Sequence, residues 1–319
     1  MEIECEKTIC ALCGADNFYI EARGFDYEYW TSEQAYCFTR CDDCGHVYLN
    51  PRPVERCMGM IYPPNYYSVS GRHRQSAIVG FMKKMVIRRR LSSLKILFGK
   101  GANILEIGCG DCSLLIDIKN RYPEATVAGI DIRFSNDAQE ICHSMGIQLT
   151  RGSIEHIPLK EDSLDIVIMN QLLEHVRDPV GVIRKTAAAL KPGGMLSIET
   201  PDVNGYERRV FKESFWGGYH FPRHLHLFSA SLLVDLIERN DLQVVKQYSL
   251  VAPIHWILSF YAVFHRTPIV NSPSDQHSIF SLSDRNPLAL AVFTGVDLVA
   301  LALGRRTSNQ KIIARKKAV

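Results

Sequence analysis

Two pairs of closely spaced cysteines stand near the start of the sequence. Cys10 and Cys13 are separated by two residues and followed by glycine, and Cys41 and Cys44 repeat this arrangement after 27 intervening residues. Two tight turns that each offer two thiolates are the donor set of a zinc ribbon, whose four sulfurs form a closed tetrahedral site. A redox dithiol is the alternative, but two matching pairs favour a metal. We therefore expect a structural Zn²⁺ ion, bound by these four cysteines, in a module too small to hold a core of its own.

A second group of residues could bind a small ligand. Gly108 and Gly110 follow a short apolar stretch, and glycines there allow a ligand to approach the backbone. Ser113 stands where dinucleotide-binding proteins have their third glycine, and Glu106 suits a cationic or amine-bearing ligand better than a pyrophosphate. Asp131 ends the next predicted strand, 21 residues after Gly110, where a carboxylate can accept hydrogen bonds from both hydroxyls of a ribose.

The order of these motifs resembles that of the class I S-adenosylmethionine-dependent methyltransferases over about residues 103–250. The resemblance also uses the segments that begin at Arg151 and Asn170 and the Lys-Pro-Gly-Gly turn at 191–194. It implies S-adenosyl-L-methionine as cofactor. The implied contacts are Glu106, Gly108 and Gly110 around the methionine part, Asp131 on the ribose, Ile132, Ser153 and Ile154 at the adenine, and Asn170 in the loop that closes over the cofactor.

Histidines offer candidates for acid–base chemistry. His175 follows the strand predicted at 164–169, and either support of the cofactor loop or a direct role is open to it. His220, His224 and His226 lie in an aromatic loop at 215–229, just before a helix that Ser229 is expected to cap. A metal site at these three histidines would lack a carboxylate ligand, and a purely structural loop is a further alternative.

The same loop and the paired cysteines resemble a narrower group, methyltransferases with an N-terminal four-cysteine zinc module, including some deoxysugar C-methyltransferases. That resemblance implies His224 as the catalytic base, with His226 as a substitute and Tyr219 or Arg223 orienting the acceptor. The group has a glutamate where Arg223 stands, a tyrosine at Phe221 and a serine at His226, so specificity for a sugar is not implied.

Composition fits a folded protein of two or three domains. The 319 residues are 46% hydrophobic and 22% charged, with a net charge of +3. So small a charge argues against nucleic acid as a partner, and the acidic first residues have no apolar segment of a secretory signal. We therefore expect a cytoplasmic protein, peripheral at the membrane if the apolar segments described below meet lipid.

Alternating apolar runs and helical segments from residue 103 predict an α/β fold, the Rossmann-like doubly wound sheet of class I methyltransferases. Four parts are expected along the chain. They are a zinc ribbon at 1–60, a linker and basic amphipathic helix at 61–100, the methyltransferase domain at 101–250 and 309–319, and an apolar helical insertion at 251–308 before the last strand.

Two segments suggest partners. Residues 74–100 contain eight lysines and arginines and no acidic residue, while Asp297 is the only charged residue in the apolar stretches 251–264 and 287–303. A basic helix and an apolar hairpin could meet an anionic membrane or a lipid-like acceptor, or the hairpin could pack on the domain or in a homodimer.

We therefore expect methyl transfer to an oxygen or carbon atom of a small organic acceptor that is sugar-, lipid- or secondary-metabolite-like. The alternatives are an RNA methyltransferase that uses the zinc ribbon for binding, and a non-catalytic scaffold with the same fold.

Overall fold

A computed structural model describes residues 2–63, 66, 101–211, 214–264 and 287–318. The basic helix predicted within 74–100 lies outside these residues. The strands are β1 (Cys5–Glu6), β2 (Phe18–Gly24), β3 (Tyr36–Cys41), β4 (Val47–Leu49), β5 (Arg52–Pro53), β6 (Asn103–Ile107), β7 (Thr126–Asp131), β8 (Gln148–Arg151), β9 (Leu164–Asn170), β10 (Leu190–Pro201), β11 (His226–Leu227), β12 (Leu242–Leu250) and β13 (Asn309–Lys316). The helices are α1 (Met58–Ile61), α2 (Ser113–Arg121), α3 (Asn136–Ser144), α4 (Pro179–Ala189), α5 (Tyr206–Val210), α6 (Ala230–Glu238), α7 (Pro253–Phe264) and α8 (Pro287–Ala302).

The central sheet has seven strands in the order β12-β13-β10-β9-β6-β7-β8. The five strands from β10 to β8 are parallel, and β13 runs antiparallel to both of its neighbours. The predicted Rossmann-like fold of the methyltransferases is therefore confirmed, as a mixed sheet. In a parallel sheet of this kind, ligands bind beyond the carboxyl ends of the strands.

Both faces of this sheet are covered, which explains why its inner strands are mostly apolar instead of alternating between apolar and polar residues. Along β9, Ile166 and Ile168 face one apolar core, while Val167 and Met169 face the other. Helices α2 and α3 close the first core, and α4 and α6 close the second. The predicted N-terminal cap of α6 is confirmed, because Ser229 Oγ accepts a hydrogen bond from Leu232 N at 3.3 Å.

The N-terminal residues form a small four-stranded sheet in the order β11-β4-β3-β2. Three of its strands are consecutive in the sequence, whereas β11 comes from the loop that follows β10 of the central sheet. His226 pairs with Tyr48, and Leu227 pairs with Val47. The aromatic loop at 215–229 is therefore part of the N-terminal module as well as of the large domain.

The described part of the predicted insertion is helical. Asp297 of α8 is buried and accepts hydrogen bonds from Ala252 N at 2.5 Å and from Trp256 Nε1 at 2.8 Å. The Trp256 ring stacks on Phe293 with centroids 5.7 Å apart. The single charged residue of the apolar stretches 251–264 and 287–303 thus joins α7 and α8.

A large apolar surface remains on these helices. Phe264 is 76% exposed, Leu288 73% and Leu303 69%. Among the described residues, no helix is both long enough and apolar enough to span a bilayer.

Candidate functional site

The residues predicted to contact the cofactor lie beyond the carboxyl ends of β6, β7 and β9, which are neighbours in the sheet. Gly108 has φ +77° and Gly110 has φ +50°, conformations that other residues rarely adopt. A Cβ atom on Gly108 would lie 2.9 Å from Leu172 Cδ1. The turn after β6 therefore depends on glycine for both its conformation and its packing.

Asp131 is held by the turn that it faces. Gly110 N donates to Asp131 Oδ2 at 2.7 Å, and Arg133 N donates to Oδ1 at 3.1 Å. Burial raises the pKa of the Asp131 carboxyl, although these backbone donors oppose the change. Each carboxylate oxygen has lone pairs beyond the one used by an N–H group, so the arrangement fits hydroxyls of a ribose.

Glu106 provides a second carboxylate at this edge. It is 4% exposed, and Asn170 Nδ2 donates to its Oε1 at 3.3 Å. A carboxylate oxygen can accept more than one hydrogen bond, so the amino group of a methionine moiety could add to the contacts that Glu106 already has. The position therefore fits the predicted contact.

Three further predicted contacts follow β7 and β8. Ile154 is buried in the core, whereas Ile132 is 51% exposed and could cover a bound ring. Ser153 Oγ lies 3.2 Å from Glu155 Oε2. The role of each residue toward the cofactor stays a prediction.

The segment that leaves the N-terminal module passes over this edge. Arg133 Nη1 donates to Tyr62 O at 3.0 Å, and His156 Nε2 lies 2.8 Å from Glu55 Oε1. Arg133 is two residues from Asp131, so residues 55–62 lie beside the predicted ribose and adenine contacts. The module therefore contributes to the cover of the candidate cofactor site.

The four predicted zinc ligands come together. The sulfurs of Cys10, Cys13, Cys41 and Cys44 all lie within 4.8 Å of one another, with two sulfur pairs at 3.5 Å. Tetrahedral Zn–S bonds of about 2.3 Å place sulfurs about 3.8 Å apart, so the spacing fits zinc. The backbone N–H groups of Leu12 and Cys13 point at the Cys10 sulfur, as thiolate ligands require.

The candidate catalytic histidine, His224, belongs to a buried group of titratable side chains that we call the histidine cluster: Glu174, His175, His220 and His224. The ring centroids of His175 and His224 are 4.7 Å apart, and those of His220 and His224 are 4.8 Å apart. His224 Nε2 lies 4.0 Å from Glu174 Oε1. The first two residues follow β9, and the other two lie in the loop after β10.

Each imidazole of the cluster has an acceptor at its Nδ1 atom. The acceptors are Arg223 O for His175 at 3.0 Å, Glu28 Oε1 for His220 at 2.5 Å, and Gly218 O for His224 at 2.8 Å. A neutral imidazole that donates through Nδ1 has its lone pair on Nε2. His175 and His224 therefore present Nε2 as an acceptor or ligand atom.

Burial decides the protonation of this group. It lowers the pKa of His224 well below the usual value, and the neighbouring histidines add to this effect. It also raises the pKa of Glu174 to about 8. Glu174 Oε2 accepts from Thr200 Oγ1 at 2.9 Å, while Oε1 has no hydrogen-bond partner within the described ranges.

The other predicted catalytic residues have protein contacts. Tyr219 is buried against Phe38 and Phe221, and Arg208 Nε lies 3.3 Å from its hydroxyl. His226 stacks on His46 with centroids 5.2 Å apart, within the interface with the N-terminal module. Neither Tyr219 nor His226 is part of the histidine cluster, and direct catalytic roles for them stay predictions.

Arg223 joins the loop to the N-terminal module. Its Nη1 and Nη2 atoms donate to Asp26 at 2.9 and 2.7 Å, and both side chains are fully buried. Sequence reasoning missed Asp26 and Glu28, because they approach the loop across 197 and 192 residues of sequence without a motif. The sequence analysis also assigned no role to Glu174, although the neighbouring His175 was already a candidate for the site.

Comparisons with known proteins agree with this geometry. The family described as "Methyltransferase domain" matches residues 80–247. A candidate S-adenosylmethionine-dependent methyltransferase of Mycolicibacterium smegmatis is 29% identical over 155 residues, which are 45% of this chain and 53% of that protein. A ubiquinone biosynthesis O-methyltransferase of Aeromonas salmonicida is 35% identical over 113 residues, which are 34% of this chain and 46% of that protein.

Similarity to solved structures extends further along the chain than similarity of sequence. A candidate sarcosine dimethylglycine methyltransferase from Galdieria sulphuraria superimposes with a TM-score of 0.51 over 73% of this chain and 86% of that chain, at 16% identity. This likeness shows the fold alone. The chain spans about half the length of the curated relatives it matches. Since the family match covers more than half of the sequence and the relatives share its chemistry, the chain belongs to the S-adenosylmethionine-dependent methyltransferases.

Proposed function

We propose that this methyltransferase acts on an oxygen or carbon atom of a small organic acceptor. The observation that carries the proposal is the histidine cluster, which places the neutral imidazole of His224 within the loops beyond β9 and β10. Methylation of a hydroxyl or an acidic carbon requires loss of a proton, and an unprotonated imidazole can accept it. Burial lowers the pKa of His224, so its imidazole is unprotonated at neutral pH but is a weaker base than a free one.

S-adenosylmethionine supplies a methyl group on a sulfonium. The acceptor atom forms a bond to the methyl carbon, the C–S bond breaks with its electron pair going to sulfur, and the acceptor proton passes to a base. We propose that Glu106, Asp131 and the turn at Gly108–Gly110 hold the cofactor, so that the protein's main task is to align the acceptor and exclude water.

The enclosure of the cluster supports a small acceptor. Tyr66 Oη lies 3.3 Å from His220 Nε2, and Tyr62 Oη lies 3.0 Å from His175 Nδ1, so two tyrosines of the N-terminal part cover two of the histidines. A polynucleotide would need a wide basic surface, which the net charge of +3 does not favour. The name of the Aeromonas relative, a ubiquinone biosynthesis O-methyltransferase, also supports a small acceptor.

We further propose that Cys10, Cys13, Cys41 and Cys44 bind structural zinc. The closed set of four thiolates leaves no position for a reacting group, so this ion would stabilise the module without taking part in methyl transfer.

The apolar surface of α7 and α8 supports contact with an anionic lipid surface, from which a lipid-like acceptor could be taken. The eight basic residues of 74–100 supply the complementary charge in the sequence.

The role of His224 is tested by replacement. His224→Ala should lower turnover ~10²–10⁴-fold while the affinity for S-adenosylhomocysteine stays nearly unchanged. His143→Ala, a change at an exposed histidine of α3 outside the site, is the matched control and should keep full turnover. Full activity of His224→Ala on the acceptor would contradict the assignment.

A further inference from the structure

Three donor atoms of the histidine cluster converge. Glu174 offers a carboxylate oxygen, and His175 and His224 each offer a ring nitrogen, all within 4.8 Å of one another. From the sequence alone, the candidate metal ligands were three histidines of one loop, without a carboxylate. In the folded protein, the loop after β9 places Glu174 and His175 beside His224.

The hydrogen bonds around these donors are those of metal ligands. A histidine that binds a metal through one ring nitrogen usually donates the other N–H to a carbonyl or carboxylate, which fixes the ring. His175 and His224 donate Nδ1–H to the carbonyl oxygens of Arg223 and Gly218, so Nε2 of each is the remaining donor. Thr200 Oγ1 holds the other carboxylate oxygen of Glu174 in the same way.

The spacing suits an ion of the first transition row. With bonds of about 2.1 Å, ligand atoms around an octahedral ion are about 3.0 Å apart when adjacent and about 4.2 Å apart when opposite. The 4.0 Å between His224 Nε2 and Glu174 Oε1 lies in this range. Glu174 is fully buried, and its Oε1, the oxygen 4.0 Å from His224 Nε2, has no hydrogen-bond partner in the described parts of the chain and is available to a ligand.

We infer that Glu174, His175 and His224 bind one divalent ion such as Mn²⁺, Fe²⁺ or Zn²⁺. Two imidazoles and one carboxylate select such ions over Mg²⁺ or Ca²⁺, which prefer oxygen ligands. This site is separate from the four cysteines, whose thiolates select zinc.

Three protein donors leave positions of the ion open for water or an acceptor oxygen. A hydroxyl bound to the ion releases its proton to solvent at lower pH than a free one, and the resulting oxygen anion attacks the methyl group. This role, unlike the binding itself, rests on the proposed function. Nε2 of His224 has one lone pair, so this atom is the proposed base only in the ion-free protein. In the loaded protein it is a ligand, and the bound hydroxyl loses its proton to solvent.

Titration with Mn²⁺ of the full chain that carries one Zn²⁺, at the four cysteines, tests the site without an acceptor. Bound Mn²⁺ is measured by loss of the electron paramagnetic resonance signal of the free ion. We expect one Mn²⁺ per chain and a rise in Tm on binding, while Glu174→Gln weakens binding at least ~10-fold. His156→Gln, at an exposed histidine, should bind Mn²⁺ like the unchanged protein.

Affinity for S-adenosylhomocysteine shows whether Glu174→Gln is folded, and His224→Gln provides a second variant with the same expected loss. Uptake of neither Mn²⁺ nor a second Zn²⁺ by the unchanged chain would overturn the inference, as would equal binding by all variants. A chain that binds Mn²⁺ at this site yet methylates no small molecule would keep the inference and refute the proposed function.

Discussion

Removing one partner of the buried ion pair between Arg223 and Asp26 should lower the free energy of unfolding by about 3–5 kcal/mol. Both side chains are 0% exposed, and two N–H···O bonds of 2.9 and 2.7 Å join them. Burial works to raise the pKa of Asp26, but the charge of Arg223 and the hydrogen bonds of Thr31 bring it below its usual value.

The size of the loss follows from what remains after the change. In Asp26→Asn, the guanidinium of Arg223 would keep its hydrogen bond to Phe221 O at 3.1 Å and its position 4.4 Å from the centre of the Tyr29 ring. Neither group carries a negative charge, and the nearby carboxyl of Glu28 is engaged by His220, so the buried cation would lose its directly bonded counter-charge. Replacing both partners avoids this, and Asp26→Asn with Arg223→Met should lose less than the sum of the two single changes.

The measurement is denaturant unfolding of the two single variants and the double variant. Asp235→Asn is the matched control, because its pair with Arg239 has side chains 47% and 65% exposed and should contribute less than about 1 kcal/mol. A loss of under 1 kcal/mol for Asp26→Asn, or strict additivity in the double variant, would refute the reasoning.

Four further outcomes are expected. Asp131→Ala should weaken binding of S-adenosylhomocysteine by ~1–3 kcal/mol in calorimetry, and unchanged affinity would remove Asp131 from the ribose. Metal analysis should find zinc at the four cysteines, and Cys41→Ser should release it and unfold the N-terminal module before cofactor binding is lost. Burial raises the pKa of Glu207 to about 8, so the protonated carboxyl stabilises the folded state at low pH. This stabilisation is lost as the pH rises from about 4.5 to about 8. From pH 6 to 8, the free energy of unfolding of Glu207→Gln should therefore fall less than that of the unchanged protein. Flotation at low salt should carry the full chain with anionic vesicles but not neutral ones, and absence of flotation would refute the lipid contact.

The sequence was sufficient for the strands buried on both faces. Residues 104–107 and 164–169 are apolar except for Glu106 and Asp165, and the structure has β6 and β9 there. The sequence did not predict β8, because this edge strand of four residues, Gln-Leu-Thr-Arg, is largely exposed and contains a single apolar residue. The Lys-Pro-Gly-Gly turn was expected to launch a strand near Met195, whereas pairing of Leu190 with Leu164 begins β10 earlier.

The candidate site divides in the same way. The glycines, Asp131 and the four cysteines stand in short motifs, so their spacing was enough to predict them as site residues. The partners of the aromatic loop stand in no motif, because the contacts of His220 with Glu28 and of His224 with Glu174 exist only after the chain has folded. Charge and burial could not be inferred for them because no local pattern distinguishes a buried carboxylate from a solvated one.

The pairing of β11 with β4 has a consequence for the order of folding. Residues 47–49 are synthesised long before residues 226 and 227, yet the small sheet lacks its fourth strand until the latter arrive. Closing so long a loop costs entropy that two residue pairs cannot offset alone, so β11 can add only when the central sheet has already brought its loop into place. A nascent or truncated chain that ends before residue 226 therefore exposes the edge of β4. The small sheet is completed only after the central sheet, although three of its strands precede that sheet in the sequence.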